Sequence, residues 1–392
     1  MITAAVDAVA RTADLPAYVY DLDHLDAHLA AITTAMRTGL GRVEIHYAAK
    51  ANPDEGVLTT VARHVDGVEV ASGGELAHVR RVLGAQVPVA FGGPGKTDEE
   101  LAAAVRRADR VHVESRNELR RLAAAARAAG VTARVLLRVN VPGCPGGVLR
   151  MGGGPSPFGM DPAEVDACVA ELPPEITLLG VHAHLASGLD ADACAAQGRA
   201  VLDWAAGFAA RHGIELAEVV IGGGMNVDYT RPEELFDWSA YRAALRLPER
   251  GPLVRIEPGR ALTAYSGWYV TDVLDLKCSG GEWFAICRGG THHLRTPAAK
   301  GHDQPFTVLP MGAGPGTAGP VTVVGQLCTP KDVLARRVPV DRIGVGDRVV
   351  FALAGAYALN ISHRDFLMHP PPTVLHVVRA EPKIASRSQI SP

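Results

Sequence analysis

The sequence has no excess of charge of either sign. Its 392 residues contain 39 lysines and arginines against 42 aspartates and glutamates, a net charge of −3 at pH 7 with a pI near 6.6. Nucleic-acid binding through phosphate contacts requires a clear basic excess or a basic stripe. The composition therefore argues against nucleic acid as a partner.

Long apolar runs and paired cysteines are missing as well. The N-terminal stretch carries Asp7, Arg11 and Asp14 among its apolar residues, which predicts neither a secretory signal nor a membrane span. Without such segments we expect a cytoplasmic protein that has no membrane partner. No CxxC pair and no Cys/His metal spacing occurs among the six cysteines, so we expect reduced thiols and no metal centre.

What the sequence does contain is a regular alternation of short β-branched runs with longer segments rich in Ala, Leu and Arg. Eight such runs precede residue 260: Val43–Ala48, Val68–Ala71, Val87–Phe91, Val111–Val113, Arg134–Val139, Leu179–His184, Val219–Ile221 and Val254–Ile256. Eight strands that alternate with helices favour a (β/α)8 barrel, and a doubly wound open sheet is the competing interpretation.

After residue 260 the pattern changes to strand-like runs without long helical segments between them. We predict a barrel over 21–260 and a β-rich, β-barrel-like C-terminal domain over 261–380, which the N-terminal segment 1–20 joins. The turn formers of Gly312–Pro320 predict a flexible loop, and the polar residues 381–392 predict a flexible tail.

The predicted strand ends carry polar groups where a barrel places its active site. Lys50 follows the first run among small residues, so its pKa can be lowered as a Schiff-base lysine requires, although a lysine that snorkels to solvent is the alternative. Gly222–Gly224 and Gly259-Arg260 follow the seventh and eighth runs, where such barrels commonly bind phosphate.

Two further residues at these ends suit a planar cofactor. Glu257 could keep a pyridine nitrogen protonated, or it could pair structurally with Arg255 or Arg260. His184 could stack on a ring, or it could be a buried barrel histidine. Taken together, these residues predict pyridoxal 5′-phosphate (PLP) held by a lysine.

The sequence resembles the fold-type III PLP-dependent decarboxylases, which include diaminopimelate, ornithine and arginine decarboxylases. The resemblance rests on seven motifs in family order: Tyr47-Ala48-Ala49-Lys50-Ala51-Asn52, Glu69-Val70-Ala71-Ser72-Gly73-Gly74-Glu75, His182-Ala183-His184-Leu185-Ala186-Ser187-Gly188, Gly222-Gly223-Gly224, Glu257-Pro258-Gly259-Arg260, Gly325-Gln326-Leu327-Cys328-Thr329 and Gly355-Ala356-Tyr357.

The resemblance implies a role for each matching residue. Lys50 would carry the cofactor, Glu69 would lie near it, His184 would stack on the ring and Glu257 would bind the ring nitrogen. The phosphate would be held by Ser187, Gly223, Gly224, Gly259, Arg260 and Tyr357. Cys328 would enter from the partner subunit of a homodimer and protonate the carbanion after CO2 leaves, whereas by itself it could be an inert buried thiol.

The motifs also depart from those of diaminopimelate decarboxylases. An acidic partner for a distal substrate amine is missing near Cys328, and basic groups occupy the same loops: His292, His293, Arg295 and Lys331. Together with Thr329, they suit a substrate rich in carboxylates, although solvated loop charges are the alternative. The loop sequences are most similar to decarboxylases of carboxylate-siderophore biosynthesis, which implies a citryl–diaminopropionate type substrate.

Other functions stay open at this stage. Meso-diaminopimelate and a carrier-protein-bound aminoacyl group are alternative substrates. A non-catalytic PLP-binding homeostasis protein is another alternative, but such proteins resemble the barrel alone, whereas this sequence continues beyond residue 261 with Cys328 and Tyr357. A racemase is a further alternative, but racemases place an arginine at the ring nitrogen where this chain has Glu257.

Overall fold

The computed structural model of the chain describes residues 2–143, 149–295, 303–312 and 314–378. It divides into two compact units. The barrel unit comprises His28–Asn226 and Phe236–Leu262, and the β unit comprises Met1–Ala27, Val227–Leu235 and Thr263–Pro392. The tail predicted over 381–392 and Cys144 lie outside the described residues.

The helices and strands are numbered along the chain. The helices are α1 (Ala4–Thr12), α2 (Leu22–Met36), α3 (Glu55–Val61), α4 (Gly73–Leu83), α5 (Asp98–Arg107), α6 (Arg116–Ala129), α7 (Pro162–Ala170), α8 (Ala191–His212), α9 (Trp238–Ala244) and α10 (Arg260–Thr263). The strands are β1 (Ala17–Asp21), β2 (Val43–Ala48), β3 (Gly67–Val70), β4 (Val89–Phe91), β5 (Arg110–Val113), β6 (Ala133–Arg138), β7 (Leu149–Arg150), β8 (Ile176–His182), β9 (Ala186–Ser187), β10 (Glu218–Val220), β11 (Leu253–Ile256), β12 (Gly267–Ser279), β13 (Glu282–Cys287), β14 (Phe306–Leu309), β15 (Gly316–Val324), β16 (Val333–Gly344), β17 (Arg348–Phe351) and β18 (Thr373–Val377).

The barrel unit is a closed barrel of eight parallel strands in the order β10-β11-β2-β3-β4-β5-β6-β8. Closure by β11 on β2 excludes the open doubly wound sheet. Each predicted strand overlaps one barrel strand. Parallel strands that are buried on both faces have short, continuous apolar sequences, which makes them easy to locate. The predicted fold class, a (β/α)8 barrel with a β-rich second domain, is confirmed.

The helices begin where local signals place them. Thr97 and Glu100 form a capping box at the start of α5, in which each side chain accepts a hydrogen bond from the other residue's backbone N–H. Helix α9 begins at Trp238, where the Asp237 side chain caps it by accepting a hydrogen bond from the backbone N–H of Ala240.

The β unit is built on the strand path β14-β17-β12-β13-β15-β16, with β1 added beside β12 and β18 beside β1. Helix α1 packs on this sheet through Val6 and Ala10, which join Val19, Trp268 and Val350 in one buried cluster. The described residues contain no helix with the length and apolar character that a membrane span needs.

Part of the predicted loop Gly312–Pro320 is strand instead. Residues from Gly316 onward belong to β15 and pair with β16, with Gly316 opposite Gly344 and Pro320 opposite Pro339. On its other side β15 pairs with β13 only from Val321. Gly316–Pro320 is therefore an edge segment, which tolerates a proline that cannot donate a hydrogen bond.

Candidate active site

Lys50 lies in a short 3-10 turn immediately after β2, at the end of the barrel where the strands finish. Its Nζ donates a hydrogen bond to Oε2 of Glu69, which projects from the neighbouring strand β3. Glu69 is buried, and burial raises the pKa of its carboxyl while the Lys50 charge opposes that rise. Lys50 is thus held at the barrel mouth by a buried carboxylate.

Glu257 follows β11 and faces two histidines inside the barrel. His182 Nε2 lies 3.0 Å from Oε2 of Glu257, and His112 Nε2 lies 3.6 Å from Oε1. Arg255 instead binds Glu44 and Glu218, so it is not the ion-pair partner considered for Glu257. Oε1 of Glu257 is buried and has no hydrogen-bond partner among the described residues.

A glycine loop lies beside His184. The backbone N–H of Gly223 donates to Nδ1 of His184 at 3.1 Å, and burial lowers the pKa of this histidine to about 3. Gly224 has a φ of +92°, and a Cβ there would lie 2.3 Å from the carbonyl oxygen of Ala186. Only glycine lets this loop approach β9, which ends at Ser187.

These residues fit a phosphorylated pyridine aldehyde. The orphaned Oε1 of Glu257 needs a donor, because a buried carboxylate oxygen without one is costly, and the protonated ring nitrogen of such a group would supply it. Lys50 offers an amine to the aldehyde. The barrel loops place the predicted phosphate ligands Ser187, Gly223, Gly224, Gly259 and Arg260 after β8, β10 and β11, at the same end of the barrel.

The β unit contains a cavity of about 580 Å³. Its lining comprises Thr291, Arg295, Thr329, Lys331, Ile361, Ser362, His363 and Phe366. Within the part of the chain that the structure describes, neither Arg295 nor Lys331 has a carboxylate within ion-pairing distance. The cavity therefore presents two uncompensated cations together with hydroxyl groups.

Asp332 organises the loops of this cavity. Its buried carboxylate accepts hydrogen bonds from the backbone N–H of Thr291 at 2.6 Å, the Thr291 hydroxyl at 2.9 Å and the backbone N–H of Leu327 at 2.8 Å. Leu327 immediately precedes Cys328, a free and exposed thiol. Asp332 is thus a structural anchor for both loops.

His292 and His293 lie in surroundings that oppose the basic character expected of them from the sequence. Both are buried, and burial lowers the pKa of His292 to about 4 and that of His293 to about 3. His293 contacts the Tyr269 hydroxyl and the Pro370 carbonyl through its two ring nitrogens. Burial therefore favours the neutral imidazole of His293, which is not among the described residues that line the cavity.

Tyr357, the remaining predicted phosphate ligand, lies in the β unit, half-buried and with a φ of 50°. The sequence analysis does not predict the contacts that His112 and Asp332 make, nor that Ser362 and His363 line the cavity. The strand alternation that points His112 into the barrel was available as a signal, but the cavity residues lie on turns that carry no periodic pattern.

Comparison with known proteins identifies relatives over most of the chain. The family model of the pyridoxal-binding domain of pyridoxal-dependent decarboxylases matches residues 24–264. A Staphylococcus aureus decarboxylase of 2-hydroxybutanedioate bearing an (L-alanin-3-ylcarbamoyl)methyl group is 39% identical, over 93% of this chain and 94% of that protein. A decarboxylase of an L-glutamyl acyl-carrier protein from Niallia circulans is 31% identical, over 94% and 90%.

Solved structures share the fold. Diaminopimelate decarboxylase from Helicobacter pylori, complexed with L-lysine, superposes with a TM-score of 0.85 at 24% identity and covers 96% of this chain and 95% of its own. At that identity the likeness concerns the fold alone.

We predict that Asp332→Ala destabilises the β unit. Each buried donor left without an acceptor costs about 1–3 kcal/mol, so the unfolding midpoint should fall by several degrees in a thermal melt. Asp303→Ala is the control, because Asp303 pairs with Arg336 at the surface and such pairs contribute about 0–1 kcal/mol. Equal midpoints for the two variants would contradict the anchoring role.

Proposed function

The chain belongs to the pyridoxal-dependent decarboxylases, and we propose that it removes as CO2 the α-carboxylate of an amino acid joined to a carboxylate-rich group. The substrate is a citryl–diaminopropionate type conjugate, whose place is in carboxylate-siderophore biosynthesis. The observation that carries this proposal is the cavity with two uncompensated cations, Arg295 and Lys331.

The charge of the cavity matches the proposed substrate. A 2-hydroxybutanedioate group carries two carboxylates and one hydroxyl. Arg295 and Lys331 offer one cation to each carboxylate, and the Thr329 hydroxyl, which accepts a hydrogen bond from the Lys331 backbone N–H, can donate its proton to a remaining oxygen. A distal ammonium group, as in diaminopimelate, would meet two like charges and no described carboxylate in the cavity lining.

The relative from Staphylococcus aureus supports the same substrate class. Its substrate is a hydroxybutanedioate joined through an amide to an alanine, and its identity of 39% extends over nearly all of both chains. The relative that acts on a carrier-bound glutamyl group is less similar, at 31%. Similarity and cavity charge thus favour the conjugate.

The barrel residues hold the cofactor in this proposal. Bound PLP supplies a sink for the electron pair that the departing carboxylate leaves behind. Lys50 binds the cofactor covalently, Glu257 accepts the N–H of its ring and His184 covers one ring face. Ser187, Gly223, Gly224, Gly259, Arg260 and Tyr357 hold the phosphate. The pKa of His184, lowered to about 3, keeps this imidazole neutral, so it stacks without adding a positive charge near the ring.

We assign to Cys328 the proton transfer to the carbanion that remains after CO2 leaves. Its thiol is exposed on the loop that Asp332 anchors, and no disulfide ties it down. We propose that the chain works as a homodimer in which Cys328 of one protomer serves the barrel of its partner. A cytoplasmic location stays a prediction from the sequence.

We predict that removing either cation of the cavity weakens use of the conjugate. Arg295→Ala and Lys331→Ala should each lower kcat/KM about 10- to 150-fold, because a hydrogen bond to a charged group contributes about 1.5–3 kcal/mol. The measurement is CO2 release from a panel of the conjugate, diaminopimelate, ornithine and arginine. Arg336→Ala is the control, because Arg336 is exposed and paired with Asp303.

The panel also decides the substrate class. Faster turnover of diaminopimelate than of the conjugate by the unaltered enzyme would overturn the proposal. Unchanged kcat/KM in both cavity variants would remove the cavity from substrate binding.

The shared active site predicts complementation between inactive variants. Lys50→Ala and Cys328→Ala homodimers should each be nearly inactive, and subunit exchange between them should restore about a quarter of the unaltered activity. Random pairing makes about half of the dimers mixed, and each mixed dimer has one intact site. A Cys278→Ala variant is the matched control, because Cys278 is the other exposed free cysteine among the described residues. It should retain full activity.

Failure to recover activity, despite subunit exchange demonstrated by mass spectrometry, would remove Cys328 from the partner's site.

A further inference from the structure

The two histidines beside Glu257 have no role in the function proposed so far. His112 projects from β5 and His182 from β8, and their side chains are almost completely buried inside the barrel. Their rings stack with centroids 4.2 Å apart and planes inclined by 27°. Each ring presents its Nε2 to a different oxygen of Glu257, at 3.6 Å for His112 and 3.0 Å for His182. Packing alone does not require two stacked imidazoles to direct their Nε2 atoms at the two oxygens of one carboxylate, so this arrangement points to a role for the pair.

We propose that His112 and His182 are positioning residues that orient the Glu257 carboxylate toward the ring nitrogen of the cofactor while leaving its negative charge intact. The inference rests on the proposed role of Glu257. It adds the means by which that carboxylate is held.

The donor chemistry of the pair follows from the contacts. A carboxylate only accepts hydrogen bonds, so His182 must carry its proton on Nε2 to bind Oε2 at 3.0 Å. His112 directs its own Nε2 at Oε1, the oxygen without a hydrogen-bond partner among the described residues. The 3.0 Å contact fixes the Nε2–H form for His182, in which Nδ1 carries no proton. The Nε2 of His112 lies 3.6 Å from Oε1, beyond hydrogen-bond distance, so its Nε2–H form is part of the proposal: an unprotonated Nε2 would face the lone pairs of Oε1.

The neutrality of the pair matters for the cofactor. Burial lowers the pKa of both imidazoles well below the usual histidine value, so they donate N–H dipoles without a positive charge. A cationic partner such as arginine would compensate the charge of Glu257 and weaken its hold on a protonated ring nitrogen. The nearby guanidinium, Arg255, is kept away by its own ion pairs with Glu44 and Glu218.

The backbone around His112 is fixed as well. Lys96 donates a hydrogen bond to the His112 carbonyl at 2.8 Å and to the Gly93 carbonyl at 2.7 Å. The same ammonium pairs with buried Glu118 at 2.6 Å. These bonds hold β5 in place, so the imidazole of His112 has a defined direction toward Glu257.

The first test measures the protonation state and the tautomer of the two histidines in the unaltered holoenzyme without substrate. Solid-state NMR of protein labelled with 15N-histidine should show both rings neutral, with the proton on Nε2. An imidazolium or an Nδ1–H form at either position would overturn the proposal. So would a stoichiometric metal ion that resists chelation, since His112, His182 and Glu257 could also ligate one and the imidazole lone pairs would then be occupied.

The second test uses paired variants. A glutamine places its amide nitrogen near the position of Nε2, whereas an asparagine reaches only the position of Nδ1. His112→Asn and His182→Asn should each lower kcat at least about tenfold with KM changed less than about twofold. In enzyme loaded with 15N-labelled PLP, the ring-nitrogen signal should move toward the unprotonated position. The corresponding glutamine variants should recover most of both properties.

The control is His46→Asn, which alters another buried barrel histidine that faces Glu44 and does not contact Glu257. The proposal would be overturned if the asparagine variants of His112 and His182 kept the kcat and the ring-nitrogen signal of the unaltered enzyme. It would also be overturned if His46→Asn lowered kcat and moved the ring-nitrogen signal as much as they do, because the two histidines would then contribute only packing. The NMR readouts need no substrate, so an error in the proposed substrate leaves them unchanged and appears only in the CO2 panel.

Discussion

The active site depends on closure of the barrel by β11 on β2. This pairing joins segments more than 200 residues apart in sequence, with Val254 opposite Val43 and Ile256 opposite Ile45. It continues beyond the strands, where the N–H of Ala48 bonds the carbonyl of Pro258. Because the register is set on both sides of the seam, Lys50 and Glu257 emerge next to each other from the same end of the barrel. If the same strand order were left open between β11 and β2, these two strands would lie at opposite edges of the sheet, and Lys50 and Glu257 would be separated.

A second constraint is electrostatic, because the barrel end concentrates ionisable groups where water is scarce. Glu69 and Glu257 are both buried, and each is paired differently: Glu69 with a lysine ammonium, Glu257 with neutral imidazoles. That difference separates their functions. In the proposed function, the carboxylate beside Lys50 would stabilise the amine that binds the cofactor, whereas the carboxylate beside the histidines would keep its charge for the ring nitrogen.

Much of the barrel could be predicted from the sequence, and much less of the β unit. The barrel strands are short apolar runs, and Lys50 and Glu257 follow their ends directly, so periodicity alone locates them. The segment Gly316–Pro320 could not be assigned, because its strand conformation comes from pairing with β16 and contradicts its local propensity. Nor does the sequence reveal that His293 is buried, and burial lowers the pKa of its imidazole to about 3, which favours the neutral form. The substrate cavity is formed by turns that only the tertiary structure brings together.

The central claim, a PLP site built on Lys50, is tested most directly by reducing the holoenzyme with borohydride and mapping the labelled peptide. The chain has six lysines, and among the four that the structure describes Lys50 alone lies directly after a barrel strand, at the strand ends, where it pairs with the carboxylate of the neighbouring strand. We expect a yellow protein that loses its visible absorbance on reduction and carries one phosphopyridoxyl group, on the peptide that contains Lys50. A label on Lys96, Lys277 or any other lysine, or a protein that binds no PLP, would contradict it.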